Sequence, residues 1–230
     1  MTASGTYNFG PANSSLALAA YERIQIRAPS IRQEHMFSAQ REMNFLMSQF
    51  SNMQPNLWTV TLITTDLTDG DKTYDVNAKV VMILDAFISL NYGDSDQTDR
   101  YITPLSRTEY ASIASKSTEG QPTVFWFNRQ ISPTITLWPV PDADSTYTLV
   151  YYACTQMQDI NLAGGETPDL PYRWYDAMVA GLSYRLARIY APQLESVRKQ
   201  DAQDAWTIAA TQDTENTALV LAPMMAGYFP

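Results

Sequence analysis

The sequence predicts an α+β fold: helices from the two ends of the chain form one bundle, and a mostly antiparallel β-region is inserted between them. Three observations predict it. Apolar residues recur at helical spacing through the first 54 residues, give way to β-branched and aromatic runs over about residues 57–157, and return to helical spacing from residue 168. The divisions expected on this pattern are residues 1–56 (N-terminal helices), 57–157 (β-region with a short helix), 158–216 (C-terminal helical hairpin) and 217–230 (extended docking tail). At 230 residues the chain can bury a substantial core. Its 45% hydrophobic and 17% charged content describes a folded protein. That charged fraction is low enough that part of the surface is expected to be covered by other subunits.

The elements follow in order. SSLALAAYERIQI predicts a short helix capped by Ser14 and broken by Pro29. The next helix is expected to start at Ser30 with Gln33 at capping-box spacing. Met36, Met43, Leu46, Met47 and Phe50 fall on one face of it, and Arg32, Glu34, Arg41 and Glu42 fill much of the rest. LWTVTLITTDL then has strand composition, and TDGD supplies a turn that predicts a hairpin tip carrying Asp66, Asp69, Asp71 and Asp75. VVMILDAFISL, RYITPL, TVFWF, TITLWPV and TYTLVYYA continue in the same style, interrupted by a short helix at SRTEYASIAS with Ser106 and Glu109 as a capping box.

From residue 168, Trp174, Met178, Leu182, Leu186 and Ile189 form one helical stripe, with Pro171 in the first turn and Pro192 ending the helix. A second helix, QLESVRKQDAQDAWTIAATQ, is expected to turn Leu194, Val197, Ala205 and Ile208 inward. The final fifteen residues, NTALVLAPMMAGYFP, carry no charged side chain, and Pro223 and Gly227 argue against a continuous helix. Such a segment either folds back on its own core or docks on a partner, and the second is the expectation here.

Composition excludes several functions. A net charge of −9 disfavours generic phosphate binding. Cys154 is the only cysteine, so an internal disulfide and a multi-cysteine metal site are both ruled out, and its apolar surroundings predict burial. His35 is the only histidine and is expected on the polar side of its helix, which removes metal-binding histidine pairs and makes a Ser–His–Asp arrangement improbable. The aspartates of TTDLTDGDKTYD lack calcium-loop spacing, and LAGGETPD lacks a phosphate-loop lysine. No cofactor is expected. Nothing selects two of the 24 acidic residues as a catalytic pair, and Glu42 and Glu109 already have helix-surface explanations. The N-terminus has neither the basic nor the apolar region of a secretion signal, and no run of eighteen apolar residues predicts a membrane span.

The densest aromatic stretch is FWFNRQISPTITLWPVPD, residues 125–142. Its aromatics alternate with Thr, Val and Ile, as a half-buried pleated surface selects, and Arg129 is the only basic residue across 123–157. The expectation is a hairpin and third strand in one sheet, with Trp126 and Trp138 available to a subunit interface. Eight aspartates lie between residues 66 and 99, against Lys72 and Lys79, whereas Arg173, Arg185, Arg188, Arg198 and Lys199 mark the C-terminal hairpin. Acidic and basic ends suit head-to-tail neighbours in a ring, with Arg173, Arg185 and Arg188 as interface candidates. Ordinary surface scatter is the alternative reading.

Four phrases extend this. QEHMFSAQREMNFLMSQFSNMQPNLWTVTL, DRYITPLSRTEYAS, PTVFWFNRQISPTITLWPVPD and DLPYRWYDAMVAGLSYRLARIYAPQ resemble the head-to-tail adaptor (connector) proteins of tailed bacteriophages, of the short-tailed phage type, over nearly the whole chain. The resemblance implies a virion protein of the neck, made in the host cytoplasm. It implies a ring, commonly twelvefold, beneath the portal protein, with β-structure projecting outward or toward the tail, and DNA passing through without specific binding. It also implies a C-terminal segment that contacts the portal, with Leu219, Leu221, Met224, Met225, Tyr228 and Phe229 as the buried side chains, and tail or nozzle proteins docking below. The competing readings are a virion-associated cell-wall hydrolase and another neck component, such as a stopper or tail-tube protein.

Overall fold

The computed structural model describes residues 6, 8–54 and 57–214. Helices α1 (Asn13–Arg23) and α2 (Gln33–Met53) precede eight strands, and α4 (Tyr175–Tyr190) and α5 (Glu195–Gln212) follow them. The strands are β1 (Val60–Asp66), β2 (Thr73–Asp75), β3 (Val80–Leu90), β4 (Thr98–Tyr101), β5 (Thr103–Pro104), β6 (Val124–Asn128), β7 (Thr134–Trp138) and β8 (Tyr147–Thr155). A short helix, α3 (Arg107–Ser112), lies between β5 and β6. The fold is α+β, with the N-terminal and C-terminal helices packed together in one bundle.

Two cores form, one per half. In the bundle, Leu16, Ala20 and Tyr21 of α1, Ile24 just after it, and Met43, Leu46, Met47 and Phe50 of α2 bury against Met178, Leu182 and Leu186 of α4 and Trp174 just before it. Trp174 is fully buried, with its ring 5.2 Å from both Phe50 and Trp58. Helices α2 and α4 come so close that a Cβ placed on Gly181 would lie 2.9 Å from a Leu46 methyl. That contact requires glycine or a shift of Leu46.

The β-half is two four-stranded sheets. One runs β1-β8-β3-β4 and the other β2-β7-β6-β5; all pairings are antiparallel except the short β5–β6 pair. Alternate residues of each sheet share one core: Ala86 and Ile88, with Tyr147, Leu149, Tyr151 and Ala153, from the first; Phe125, Ile135 and Leu137 from the second. β8 is an interior strand of its sheet and is buried on both faces over Tyr147–Tyr151.

Several local expectations are corrected. Ser14 does not cap α1; the helix starts at Asn13 after Ala12, and the Asn13 amide instead reaches the backbone carbonyl of Asn161. Nor does Pro29 end it. The chain turns at Gln25, in the left-handed region (φ 67°), with Gln25 N–H donating to Glu22 C=O and Ile26 N–H to Tyr21 C=O, a Schellman ending. Helix α2 begins at Gln33, not Ser30, because Ala28–Ser30 form a separate 3₁₀ turn around Pro29. Its start is held by His35, whose Nδ1 accepts the Arg32 N–H at 3.1 Å. His35 is therefore not a solvated polar-face residue: it is half-buried, with its ring stacked 4.9 Å from Tyr190.

In the β-region, the turn after β1 does not close a hairpin. β1 pairs with β8 and β2 with β7, so residues 67–72 cross from one sheet to the other, and Tyr74 ties the crossing by donating to the Asp71 carbonyl at 2.7 Å. Asp66, Asp69, Asp71 and Asp75 are exposed as expected, but at a corner between sheets. β6 and β7 do form a hairpin; the third strand, β8, belongs to the other sheet. The Ser106–Glu109 capping box of α3 forms as expected, with Ser106 Oγ accepting Glu109 N–H at 3.2 Å and the Glu109 carboxylate accepting Ser106 N–H at 2.7 Å.

In the C-terminal hairpin, Ile189 falls off the buried stripe and is exposed, while Val197 and Ile208 of α5 face outward, not inward. Helix α5 packs mainly on α4, and its inward contacts come from Ala205, Trp206, Ala209 and Ala210, with Leu194 just before it. At about 100° per residue, Val197 and Ile208 lie roughly 100–120° around α5 from the buried Ala209, away from the line of contact with α4.

Two outcomes follow for stability. Trp174→Ala should cost about 3–5 kcal/mol in urea unfolding, the range for truncating a buried aromatic. Burial pushes the Tyr21 phenol well above its ordinary value, and that hydroxyl donates to the His35 carbonyl at 2.6 Å. A raised folded-state pKa contributes stability that is fully present below the unfolded value, about 10, and is lost as pH rises above it. Tyr21→Phe should cost about 1 kcal/mol at neutral pH and flatten the decline of thermal stability above about pH 10.

Candidate functional site

The residues proposed from sequence as interface positions all have partners within the chain. On the outer side of its sheet, Trp126 stacks on Tyr110 of α3 at 5.4 Å, and burial pushes the Tyr110 phenol upward. Trp138 donates its indole N–H to the Ser115 carbonyl at 2.8 Å. The two tryptophans therefore anchor α3 and the loop after it, and both remain only half-buried.

The three arginines do not sit together on one open basic face. Arg173 lies beside Asp213, 2.5 Å from a carboxylate whose side chain is fully buried, with its guanidinium over the Trp58 ring. Arg185 bridges from α4 to α2, reaching Glu42 at 3.2 Å and Gln49 at 2.7 Å. Arg188 lies over Tyr184 and 3.5 Å from Glu195. Arg198 pairs with Asp201 at 2.9 Å. Four of the five cations named at the C-terminal hairpin are thus matched by acids, and its basic character is largely cancelled.

The tail positions Leu219, Leu221, Met224, Met225, Tyr228 and Phe229 lie outside the described residues. The chain reaches them from a firmly held point. Asp213, just past α5, accepts from Arg173 and, at 3.4 Å, from the Leu57 N–H, so the start of the β-insert and the end of the helical hairpin meet there. Asn44 makes a second junction, donating to the Ile160 carbonyl at 3.1 Å and accepting the Ile160 N–H at 2.8 Å.

Surfaces that sequence reasoning missed are more open. Phe37 and Phe45 of α2 are 63% and 54% exposed, with Arg41 between them. Leu62, Tyr101 and Tyr152 are 47%, 59% and 43% exposed on one face of the β1-β8-β3-β4 sheet. The signal for the helix face was present: at about 100° per residue, positions 37, 41 and 45 span an arc of only about 80° opposite the buried stripe. The sheet face could not be found that way, because it depends on which strands pair.

An open groove of about 510 Å³ runs between α2, α4 and α5, lined by Phe50, Met53, Gly181, Arg185, Lys199 and Trp206. It holds two cations and no carboxylate, so it has no acid–base pair. Among the described residues, no group of three or more His, Cys, Asp or Glu side chains gathers as a metal site, and no helix is long and apolar enough to cross a membrane. Cys154 is buried, and burial pushes its thiol upward, against reactivity. Glu42 is engaged by Arg185, and Glu109 caps α3.

The described residues form a helical body and a double-sheet insert with open apolar faces on α2 and on the β1-β8-β3-β4 sheet. The family model of the SU10 adaptor protein matches residues 36–222, most of the chain. The chain belongs to that family: it is a phage adaptor protein, a structural component of the virion neck, from a family that is structural and not catalytic. No curated protein matches it significantly.

The junction at Asp213 has a measurable energy. Arg173→Ala leaves a buried carboxylate without its counter-charge and should cost about 3 kcal/mol. Asp213→Ala should cost markedly less in that background than alone, a coupling that a double-mutant cycle in urea reads directly.

Proposed function

We propose that this chain is a head-to-tail adaptor that assembles as a ring, of twelve copies, beneath the portal protein, extends the DNA channel and forms the platform on which tail or nozzle proteins attach. The observation that carries this reading is the family match over residues 36–222, which runs past the helical hairpin into the uncharged C-terminal segment. The open apolar faces support it, since a ring subunit needs two more contact surfaces than a monomer.

In this reading the C-terminal segment docks on the portal by burying Leu219, Leu221, Met224, Met225, Tyr228 and Phe229. Full burial of one Leu, Met or Phe side chain contributes about 1.5–3 kcal/mol. A few per subunit offset the ordering of the segment, and repetition around the ring multiplies weak contacts. The half-buried aromatics Trp126 and Trp138 and the arginines Arg173, Arg185 and Arg188 lie at or near contacts with neighbouring subunits. The net charge of −9 suits a channel wall along which DNA passes without adhering. This adaptor works mechanically, with no catalytic step and no cofactor.

Deleting residues 217–230 should abolish co-sedimentation with portal rings while leaving the circular dichroism melt of the subunit unchanged. Unchanged attachment would discard the docking role of that segment. Immunogold labelling of purified virions should place the protein at the portal vertex.

A further inference from the structure

Strand pairing decides which residues share the open face of the β1-β8-β3-β4 sheet. Tyr152 pairs with Leu62 on one side and Asp85 on the other, Val150 with Thr64 and Phe87, and Phe87 with Tyr101. Thr148 pairs with Asp66 and Ser89, and Ser89 with Asp99. Paired residues in antiparallel strands project to the same side, and Leu149 and Tyr151, one step out of phase, point into the core. On the outward face Thr148, Val150 and Ser89 are a buried floor, and Leu62, Tyr152 and Tyr101, with the half-buried Phe87, form the apolar stripe that remains open, bordered by Asp66, Asp85 and Asp99. The strands place no lysine or arginine on it.

The solvent face of α2 presents a cation, Arg41, between two exposed phenylalanines, with Glu34 one turn before Phe37. Phe37 and Phe45 stand exposed one turn either side of Arg41, whose side chain is 60% exposed and reaches Glu42 only at 3.5 Å. Glu42 itself is drawn to Arg185. Arg27 and Arg32 are exposed at the N-terminal end of the helix, against Glu34. Two phenylalanines flanking an arginine complement an apolar stripe edged by aspartates in both hydrophobicity and sign. Because the two faces are different parts of one chain, their pairing is heterologous, so it propagates from copy to copy and closes when the rotation allows.

We propose that α2 of one copy, through Phe37, Arg41 and Phe45, docks on the outer face of the β1-β8-β3-β4 sheet of the next copy, with Arg41 beside Asp85. The occupant is a second copy of this chain, and the inference rests on the ring reading above. Asp85 suits the role: it is exposed, follows an irregularity in the β3–β8 pairing, and has no side-chain hydrogen bond among the described residues.

Charge exchange tests it. Arg41→Asp and Asp85→Arg each set like charges against one another at every contact in a pure preparation. Each should weaken self-association of the full-length chain, followed by sedimentation velocity over a concentration series, by about tenfold or more. A one-to-one mixture of the two variants should associate again, because the introduced carboxylate on one copy meets the introduced guanidinium on the next and the remaining contacts are wild type. The double variant should associate too. Both positions are exposed, so thermal melts of the single variants should match wild type and exclude misfolding. Wild type that remains monomeric throughout, single variants that associate normally, or folded variants that the mixture fails to restore would each overturn the proposal. Virion labelling reads the neck location independently, so this interface can fail while the adaptor reading stands, and the reverse.

Discussion

The structure depends on the burial of α4 between the two N-terminal helices. Ala177 through Ser183, together with Leu186 and Ala187, are all buried, so almost the whole circumference of the helix is covered over its first three turns. A glycine makes this possible on one side: Gly181 lets α2 approach until a Cβ there would meet Leu46. Because α4 comes from residues 175–190 and its partners from residues 13–53, their union joins the two ends of the chain and makes the β-region an insert. The Arg23–Asp176 pair at 2.6 Å and the Arg185–Glu42 pair at 3.2 Å align the same helices; the first is open to water and contributes little beside the apolar contact, while the second is largely buried.

The insert is tied to this body at short range. Trp58, just before β1, packs on Trp174 and donates to the Asp169 carbonyl at 3.2 Å. Asn44 of α2 holds Ile160, beyond β8, by two hydrogen bonds. The sheets are therefore carried on the bundle through β1 and β8, the strands that lie next to each other in the first sheet.

What remains outward explains why the chain is an assembly part. The buried sets of each half are complete, yet Phe37, Phe45, Leu62, Tyr101, Tyr152, Val197 and Ile208 stay in solvent. Helix α2 and the β1-β8-β3-β4 sheet bury well-filled opposite faces, so Phe37, Phe45, Leu62, Tyr101 and Tyr152 are not failures of packing, whereas α5 buries only Ala209 fully. An isolated monomer gains nothing from such residues; a protein of the virion neck has neighbours to cover them.

Much of this was legible in the sequence. Helical period around a β-rich centre placed the bundle and the insert, the Met43–Phe50 and Trp174–Leu186 stripes were correctly turned inward, and the Ser106–Glu109 cap was found from spacing alone, because these signals are local. Errors arose where a distant residue decides the outcome. TDGD looked like a hairpin because its composition is that of a turn, but β8, about 80 residues later, takes β1 as its partner. His35 looked solvated because Tyr190, which stacks on it, is more than 150 positions away. Val197 and Ile208 looked buried because periodicity states which residues share a face, and not whether a second helix arrives to cover it. The amino-acid order by itself determined the elements, their sided character and the family; only the tertiary structure decided which sides stay open, because strand pairing and helix contact are agreements between residues far apart in the chain.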